Sequence, residues 1–358
     1  MRYLRLLDFG GVSPLRSQTL YHTVCQGVSQ GEPETLLLMY PKRPYVCVGY
    51  HSNIEREIDL TYCRRRRLPV YRRQTGGGPV YLDKDQLFFQ LILHEKSVPL
   101  SIKRAYAELL EAPVRTYRAL GLDARLETMN DICVDGRKIS GTAMAKIEDA
   151  VVLVGNIIFD FDYEAMVRVL NLPNDTFREQ VATNLDRYLT ALKRELPSLP
   201  RRAEVKRLLV EEWRQLLEAE LIPATLSPYE EEVLTRWDRQ FRTKEWLNPA
   251  LGGSSDIRRV KIRSGVAVAA AHCRIDGTAL GMVASFAQGR ISALNLSPRS
   301  GNGSAKPALL NRLQTVLINQ QVDRDQLLER SRACLQELGL VADPAEMVDT
   351  IVAAATVE

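Results

Sequence analysis

The sequence predicts an α+β protein of two domains, a mixed or antiparallel sheet with interspersed helices followed by a smaller α+β domain. Three observations predict this. Short apolar runs of strand character are separated by segments of helical periodicity through the first two hundred residues. Asp135-Gly136 stands between two alternating runs, and a type I′ hairpin turn favours that pair because both turn residues need positive φ. Between residues 222 and 256 the composition shifts through Pro223, Pro228, Pro249 and a Gly-Gly-Ser-Ser run, so a boundary is expected there, dividing residues 1–243 from 244–358. The 358 residues, 45% of them hydrophobic, suffice for a core in each part.

In chain order, YLRLLDF reads as a strand, and Ser13 to Gln30 as a helix with Leu15, Leu20, Val24 and Val28 on one face. ETLLLMY and PYVCVGY read as two buried strands joined by the turn from Pro41 to Pro44. Residues 80–94 read as a hairpin interrupted at Lys84-Asp85-Gln86. Residues 101–122 have helical period, a closing Gly121 and an expected kink at Pro113. The Asp135-Gly136 hairpin and AVVLVGNIIF continue the sheet. Residues 162–171 and 200–220 read as helices, with a polar, irregular stretch at 172–190 between them. Beyond residue 256, glycine-punctuated alternation predicts a three- or four-stranded antiparallel sheet, with helices from Ala305 onward.

Composition excludes several function classes. A net charge of +4 admits an anionic ligand or an acidic partner but falls short of the basic stripe of a nucleic-acid binder. The six cysteines include no CxxC and no cysteine-histidine cluster, which predicts neither a zinc site nor a disulfide framework and fits a reducing cytoplasm. No stretch of about 18 apolar residues and no leader-like N-terminus occurs, so neither membrane spanning nor secretion is expected.

The chemistry concentrates in two segments. RRQTGGGPVYLDKDQLFF, residues 72–89, sets Arg72 and Arg73 ahead of Gly76, Gly77 and Gly78, which reads either as an anion cradle or as a plain turn. It matches neither the GxxxxGK[ST] phosphate loop nor GxGxxG. In NDICVDGRKISGTAMAK the hairpin turn brings Lys138 just inside the returning strand, while Asn130 and Asp131 either cap the hairpin or serve a site. Together the two segments supply what activation of a carboxylate by ATP requires. Two anions must be brought together, and fixed cations, backbone N–H groups and a divalent ion offset their repulsion.

RRQTGGGPVYLD followed by NDICVDGRKISGTA resembles the lipoate protein ligase family, with its patterns RRxSGGGAVFHD and NDIxxxGKKISGSA, and GYHSNIEREID is similar to its GxxQNxxxE segment. The resemblance implies the catalytic fold shared with biotin ligases and octanoyltransferases, with a small C-terminal accessory domain. It also implies a two-step reaction: lipoate and Mg-ATP give lipoyl-AMP, and an acceptor lysine then takes the lipoyl group. Lys138 would be the catalytic lysine. Arg73, Gly78, Pro79, Val80, Tyr81 and Arg187 would hold the nucleotide, and Arg72, Gly76, Gly77, Gly78 and Gly155 the lipoate. Asn130 and Asp131 would place Mg2+ or order Lys138, and Thr176 to Thr190 would form an adenylate-binding loop. Val151 to Ile158 and the first strands would line a tunnel for the lipoyl tail.

This chain departs from the pattern at Pro79, Leu82, Gln86 and Val154. The implied enzyme is a monomer. Its acceptor would be an H-protein-like protein, an acyltransferase lipoyl domain or a sulfur-oxidation lipoate-binding protein. Two alternatives remain open, an octanoyl or lipoyl transferase using a cysteine thiolate, for which Cys133 is the nearby residue, and a non-catalytic lipoate-binding protein. Biotin ligation is disfavoured, since a GRGRxG loop is missing.

Overall fold

The computed structural model describes residues 2–249, 256–275, 278–298 and 307–356. Their contacts divide them into two compact units, one drawn from Met1–Asn171 with Tyr188–Leu251, the other from Leu172–Arg187 with Gly252–Glu358. The Gly-Gly-Ser-Ser run of the expected boundary lies outside the described residues.

Among its described residues the first unit carries strands β1 (Arg2–Val12), β2 (Thr35–Pro41), β3 (Tyr45–Val48), β4 (Val70–Arg72), β5 (Val80–Leu82) and β6 (Gln86–His94). They are followed by β7 (Ala124–Leu126), β8 (Asp131–Val134), β9 (Arg137–Ile147), β10 (Ala150–Ile158) and β11 (Ala219–Pro223). One sheet has the order β11-β1-β2-β6-β10-β9-β8-β7, and a smaller one the order β4-β3-β5. The large sheet is mixed, with β1 parallel to both β11 and β2 and β6 antiparallel to β2 and β10. Strand β6, QLFFQLILH, is apolar on both faces because both are covered. Leu87, Phe89 and Leu91 join a core with Tyr117 and Trp213, and Phe88 and Ile92 pack with Leu20 and Val24 of helix Arg16–Ser29.

Several sequence expectations are corrected. ETLLLMY and PYVCVGY form strands as expected, yet β2 joins the large sheet and β3 the small one. Residues 80–94 are not a hairpin: β5 pairs with β3, and β6 with β2 and β10. Helix 101–122 is two helices, Ile102–Leu109 and Glu111–Ala119, which places Pro113 in the first turn of the second, where no intrahelical N–H bond is lost. The stretch expected to be irregular holds helix Asp175–Tyr188, which buries Phe177, Val181 and Leu185.

The second unit contains β12 (Arg258–Arg263), β13 (Val266–Ile275), β14 (Thr278–Ala287) and β15 (Arg290–Pro298) in an antiparallel sheet of that order. Leu310, Leu313, Met347 and Ile351 of the C-terminal helices cover Ala269, Cys273, Met282 and Phe286. Within this unit Asn184 donates to the Ser285 hydroxyl at 3.1 Å, and Ser285 bonds Gln180, so two amides of helix Asp175–Tyr188 are tied to β14.

In the first unit His22 sits in a box of Tyr21, Trp237, Phe241 and Trp246, with ring centroids 4.4 to 5.9 Å away. Neither ring nitrogen has a hydrogen-bond partner among the described residues, and burial pushes the imidazole pKa down to about 3. Below pH 6.5 the unfolded chain binds a proton that the folded one refuses. Stability should therefore fall from pH 6.5 toward pH 3, by up to about 5 kcal/mol from this group. Urea melts across that range should show a shallower pH slope in His22→Phe, and identical slopes would contradict the assignment.

Candidate active site

The lysine is presented by a hairpin. Asp135 and Gly136 take φ of 47° and 72°, the left-handed pair of a type I′ turn, and connect β8 to β9. A bulge between Ile132 and Cys133 shifts the register, so that Cys133 faces Lys138 while Asp131 faces Gly141. Across these strands the Lys138 ammonium meets the Asp131 carboxylate at 2.7 Å. Asp131 is 1% exposed, whereas the Lys138 side chain keeps 20% of its surface. The carboxylate is therefore a buried anchor, and the ammonium faces outward from it. Asn130 brackets the pair from the side, its amide donating to the Thr142 carbonyl at 3.1 Å and its own carbonyl accepting from the Thr142 hydroxyl at 2.6 Å. Behind Lys138 the chain is held again, since the Thr190 N–H donates to the Lys138 carbonyl at 2.9 Å.

The triglycine loop is braced by its arginines. Arg73 donates to the carbonyls of Gly76 at 2.8 Å, Gly78 at 2.9 Å and Cys47 at 3.1 Å, which folds the loop around one guanidinium. Gly77 has φ of 96° and requires glycine, while added Cβ atoms at Gly76 and Gly78 would meet open space. The loop thus leaves the backbone of Gly76 and Gly78 open to approach. Arg72 is 1% exposed and gives its hydrogen bonds to the carbonyls of Gly49, Tyr50 and Leu247. Trp246 returns one to the Arg72 carbonyl at 3.0 Å. Gly49, in the GYHSNIEREID segment, lies so close to the loop that a Cβ there would overlap the Gly77 carbonyl oxygen.

A polar chain joins the two segments. The Tyr81 carbonyl accepts from Gln86 at 3.2 Å, Gln86 accepts from the Asn156 amide at 2.9 Å, and Asn156 accepts from the Gly141 N–H at 2.8 Å. The Asn156 carbonyl also accepts from Ser140 at 2.6 Å. Gly141 in turn lies beside the Lys138 side chain. Strand β5, which carries Val80 and Tyr81, is thereby linked to strand β9, which carries the lysine.

The family model of the lipoyl protein ligase A/B catalytic domain matches residues 13–214. The chain belongs to this family. Among curated relatives, an octanoyltransferase LipM of Halalkalibacterium halodurans is 26% identical over 69% of this chain and 99% of its own. A structure of a bipartite lipoate protein ligase with its E2 lipoyl domain, from Thermoplasma acidophilum, aligns at 25% identity and TM-score 0.62 over 71% of this chain and 99% of that one. A lipoate-protein ligase A bound with ATP aligns at 25% identity and TM-score 0.59 over 68% of this chain and 98% of that one. The α+β fold expected from the motifs is the fold of these ligases.

The departures from the family pattern are absorbed locally. Leu82 and Val154 pack in the apolar cluster around Tyr45 and Phe88, and Gln86 reaches both Tyr81 and Asn156. Pro79 offers no N–H at a position where the Gly78 carbonyl is already held by Arg73. Gly155 is backed by Phe89, whose ring a Cβ would overlap. Arg187 closes helix Asp175–Tyr188 and belongs to the second unit. Among the described residues no cluster of three or more His, Cys, Asp or Glu side chains has metal-binding geometry. All six cysteines are buried. Burial pushes the thiols of Cys25, Cys47 and Cys334 up, and those of Cys63 and Cys273 to about 11 and about 12.

Sequence reading missed Asn156, Gly49 and Thr142. The signal for Asn156 was there, one polar residue in the apolar run AVVLVGNIIF. Asn156→Ala would leave the Gly141 N–H and the Gln86 side-chain oxygen without their partner and should cost about 1–3 kcal/mol in urea melts. An unchanged midpoint would mean that the link carries no load.

Proposed function

We propose that this protein is an ATP-dependent lipoate protein ligase, which activates lipoate as lipoyl-AMP and transfers the lipoyl group to a lysine of an acceptor domain. One observation carries the reading: a lysine anchored on a buried carboxylate is linked to an open glycine cradle, in a chain with no exposed thiol. The match to a ligase bound with ATP supports the nucleotide. Residues 1–243 would form the catalytic domain and 244–358 the accessory domain.

In the first step the lipoate carboxylate attacks the α-phosphate of Mg-ATP, and pyrophosphate leaves. The Lys138 ammonium stands between the two anions and offsets their repulsion, with Asp131 fixing its position. Gly76 to Gly78 bring backbone up to the phosphates. In the second step the ε-amine of the acceptor lysine attacks the mixed anhydride carbonyl, AMP leaves, and the amine gives up a proton. The acceptor is a lipoyl-type domain, as with the E2 lipoyl domain of the Thermoplasma system.

The second reading, octanoyl transfer, is favoured by the LipM relative. It requires a thiolate nucleophile. Cys133, the cysteine beside Lys138 in the hairpin, is 1% exposed, which opposes that chemistry. Lys138→Ala should abolish lipoate-dependent exchange of pyrophosphate into ATP while keeping the wild-type circular dichroism. Cys133→Ser should retain more than about half of the exchange, because a small buried group is replaced by one of similar size. Exchange absent from the wild type would overturn the ligase reading in favour of the transferase, and exchange lost in Cys133→Ser would show that the thiol takes part in adenylation.

A further inference from the structure

The chain that leaves helix Pro228–Gln240 returns to the glycine loop. Thr243 caps the short turn Lys244–Leu247 by accepting from the Trp246 backbone N–H, and by its contacts this stretch belongs to the first unit. Two contacts with Arg72 then run in opposite directions. The Trp246 indole N–H donates to the Arg72 carbonyl at 3.0 Å, and the Arg72 guanidinium donates to the Leu247 carbonyl through two nitrogens, at 2.8 and 3.0 Å. We propose that Trp246 is a positioning residue, which forms with the Leu247 carbonyl a clasp that sets the glycine loop; that the loop then receives the phosphates of ATP rests on the ligase reading.

The clasp meets two needs of Arg72. Strand β4, which Arg72 ends, lies at the edge of the small sheet, where backbone groups on the outer side lack a neighbouring strand, and the indole supplies a donor there. The guanidinium is 1% exposed, and a buried cation depends on every acceptor within reach. Leu247 takes two of its hydrogen bonds, and Gly49 and Tyr50 take one each. Those last two residues are the wall on which the loop rests. The Tyr50 N–H donates to the Thr75 carbonyl at 3.1 Å, and Gly49 lies against the Gly77 carbonyl. The hold therefore passes from residues 246 and 247 through Arg72 to residues 49 and 50, and from them to Gly77.

Packing alone would not require tryptophan at this position. The Trp246 ring lies 4.3 Å from Phe241, 5.9 Å from His22 and 6.1 Å from Trp237, contacts that any large ring could make. Trp213 shows that the fold accepts a tryptophan used for bulk, since its buried indole N–H has no partner among the described residues. Trp246 instead directs its N–H out of the aromatic box and onto Arg72. The same box reaches the loop at a second point. Tyr21, whose ring lies 4.4 Å from His22, accepts from the Gln74 N–H at 3.2 Å. The box thus holds the backbone on both sides of Arg73, the residue whose guanidinium folds the three glycines.

Trp246→Phe keeps a ring in the box and removes the N–H, so it separates positioning from packing. In the full-length chain this variant should melt within a few degrees of the wild type. Hydrogen exchange read by mass spectrometry should quicken at least about fivefold in peptides covering Tyr50, Arg73 and Gln74, whose N–H groups are bonded to Thr75, Val48 and Tyr21, and stay unchanged in β6. In lipoate-dependent transfer of pyrophosphate into ATP, the KM for ATP should rise at least about fivefold while the KM for lipoate moves less than about twofold. Trp246→Ala, which also empties part of the box, should show the same split at a lower melting temperature. Wild-type hydrogen exchange around the loop in Trp246→Phe, faster exchange spread equally over β6, or an unchanged KM for ATP would overturn the proposal. Pyrophosphate transfer missing from the wild type would count against the ligase reading alone, and hydrogen exchange would still decide whether the clasp holds the loop.

Discussion

A single buried carboxylate, Asp131, organises the site. Removed from water, it needs a cation within reach, and Lys138 at 2.7 Å is that cation. The pairing depends on the backbone around it. The left-handed turn at Asp135-Gly136 sets where β9 returns, and the bulge at Ile132 and Cys133 sets which residues face one another. Reciprocal bonds between Asn130 and Thr142 hold the open end of the hairpin. An ammonium held in this way has little freedom left to lose, which is the condition for electrostatic preorganisation in the proposed reaction.

The glycine cradle is prepared by the same means with the charges reversed. Arg73 gathers carbonyls of its own loop, and Arg72 gathers those of Gly49, Tyr50 and Leu247. Both adjacent arginines spend their hydrogen bonds on backbone, which shapes the loop whose outer surface stays open. The relay of Gln86 and Asn156 then ties the strand after the cradle to the strand of the lysine. A change at Gly49, Asn156 or Thr142 would therefore disturb the glycine loop or the strands that present Lys138.

Local chemistry was legible in the sequence wherever it is decided within a few residues. The Asp135-Gly136 turn, helices such as Arg16–Ser29 and Arg202–Leu217 and the antiparallel C-terminal sheet follow from period and turn residues. Strand partners were not legible, since β3 and β5 meet across more than thirty intervening residues, and nothing local separates that pairing from a hairpin of β5 with β6. Helix Asp175–Tyr188 was hidden by its polar composition, because few apolar residues mark its buried face. The two motifs identified the lysine and the glycines. The roles of Arg72 and Arg73 as loop braces depend on carbonyls up to 175 residues away, which no motif records.

In the proposed reaction, activation runs through a lysine-held adenylate and not through a thiol. The direct measurement is the mass of the protein after incubation with lipoate and Mg-ATP without acceptor, taken under native and then denaturing conditions. The expected result is a complex heavier by lipoyl-AMP under native conditions that returns to the bare chain on denaturation. An acyl adduct that survives denaturation and maps to a cysteine would contradict it.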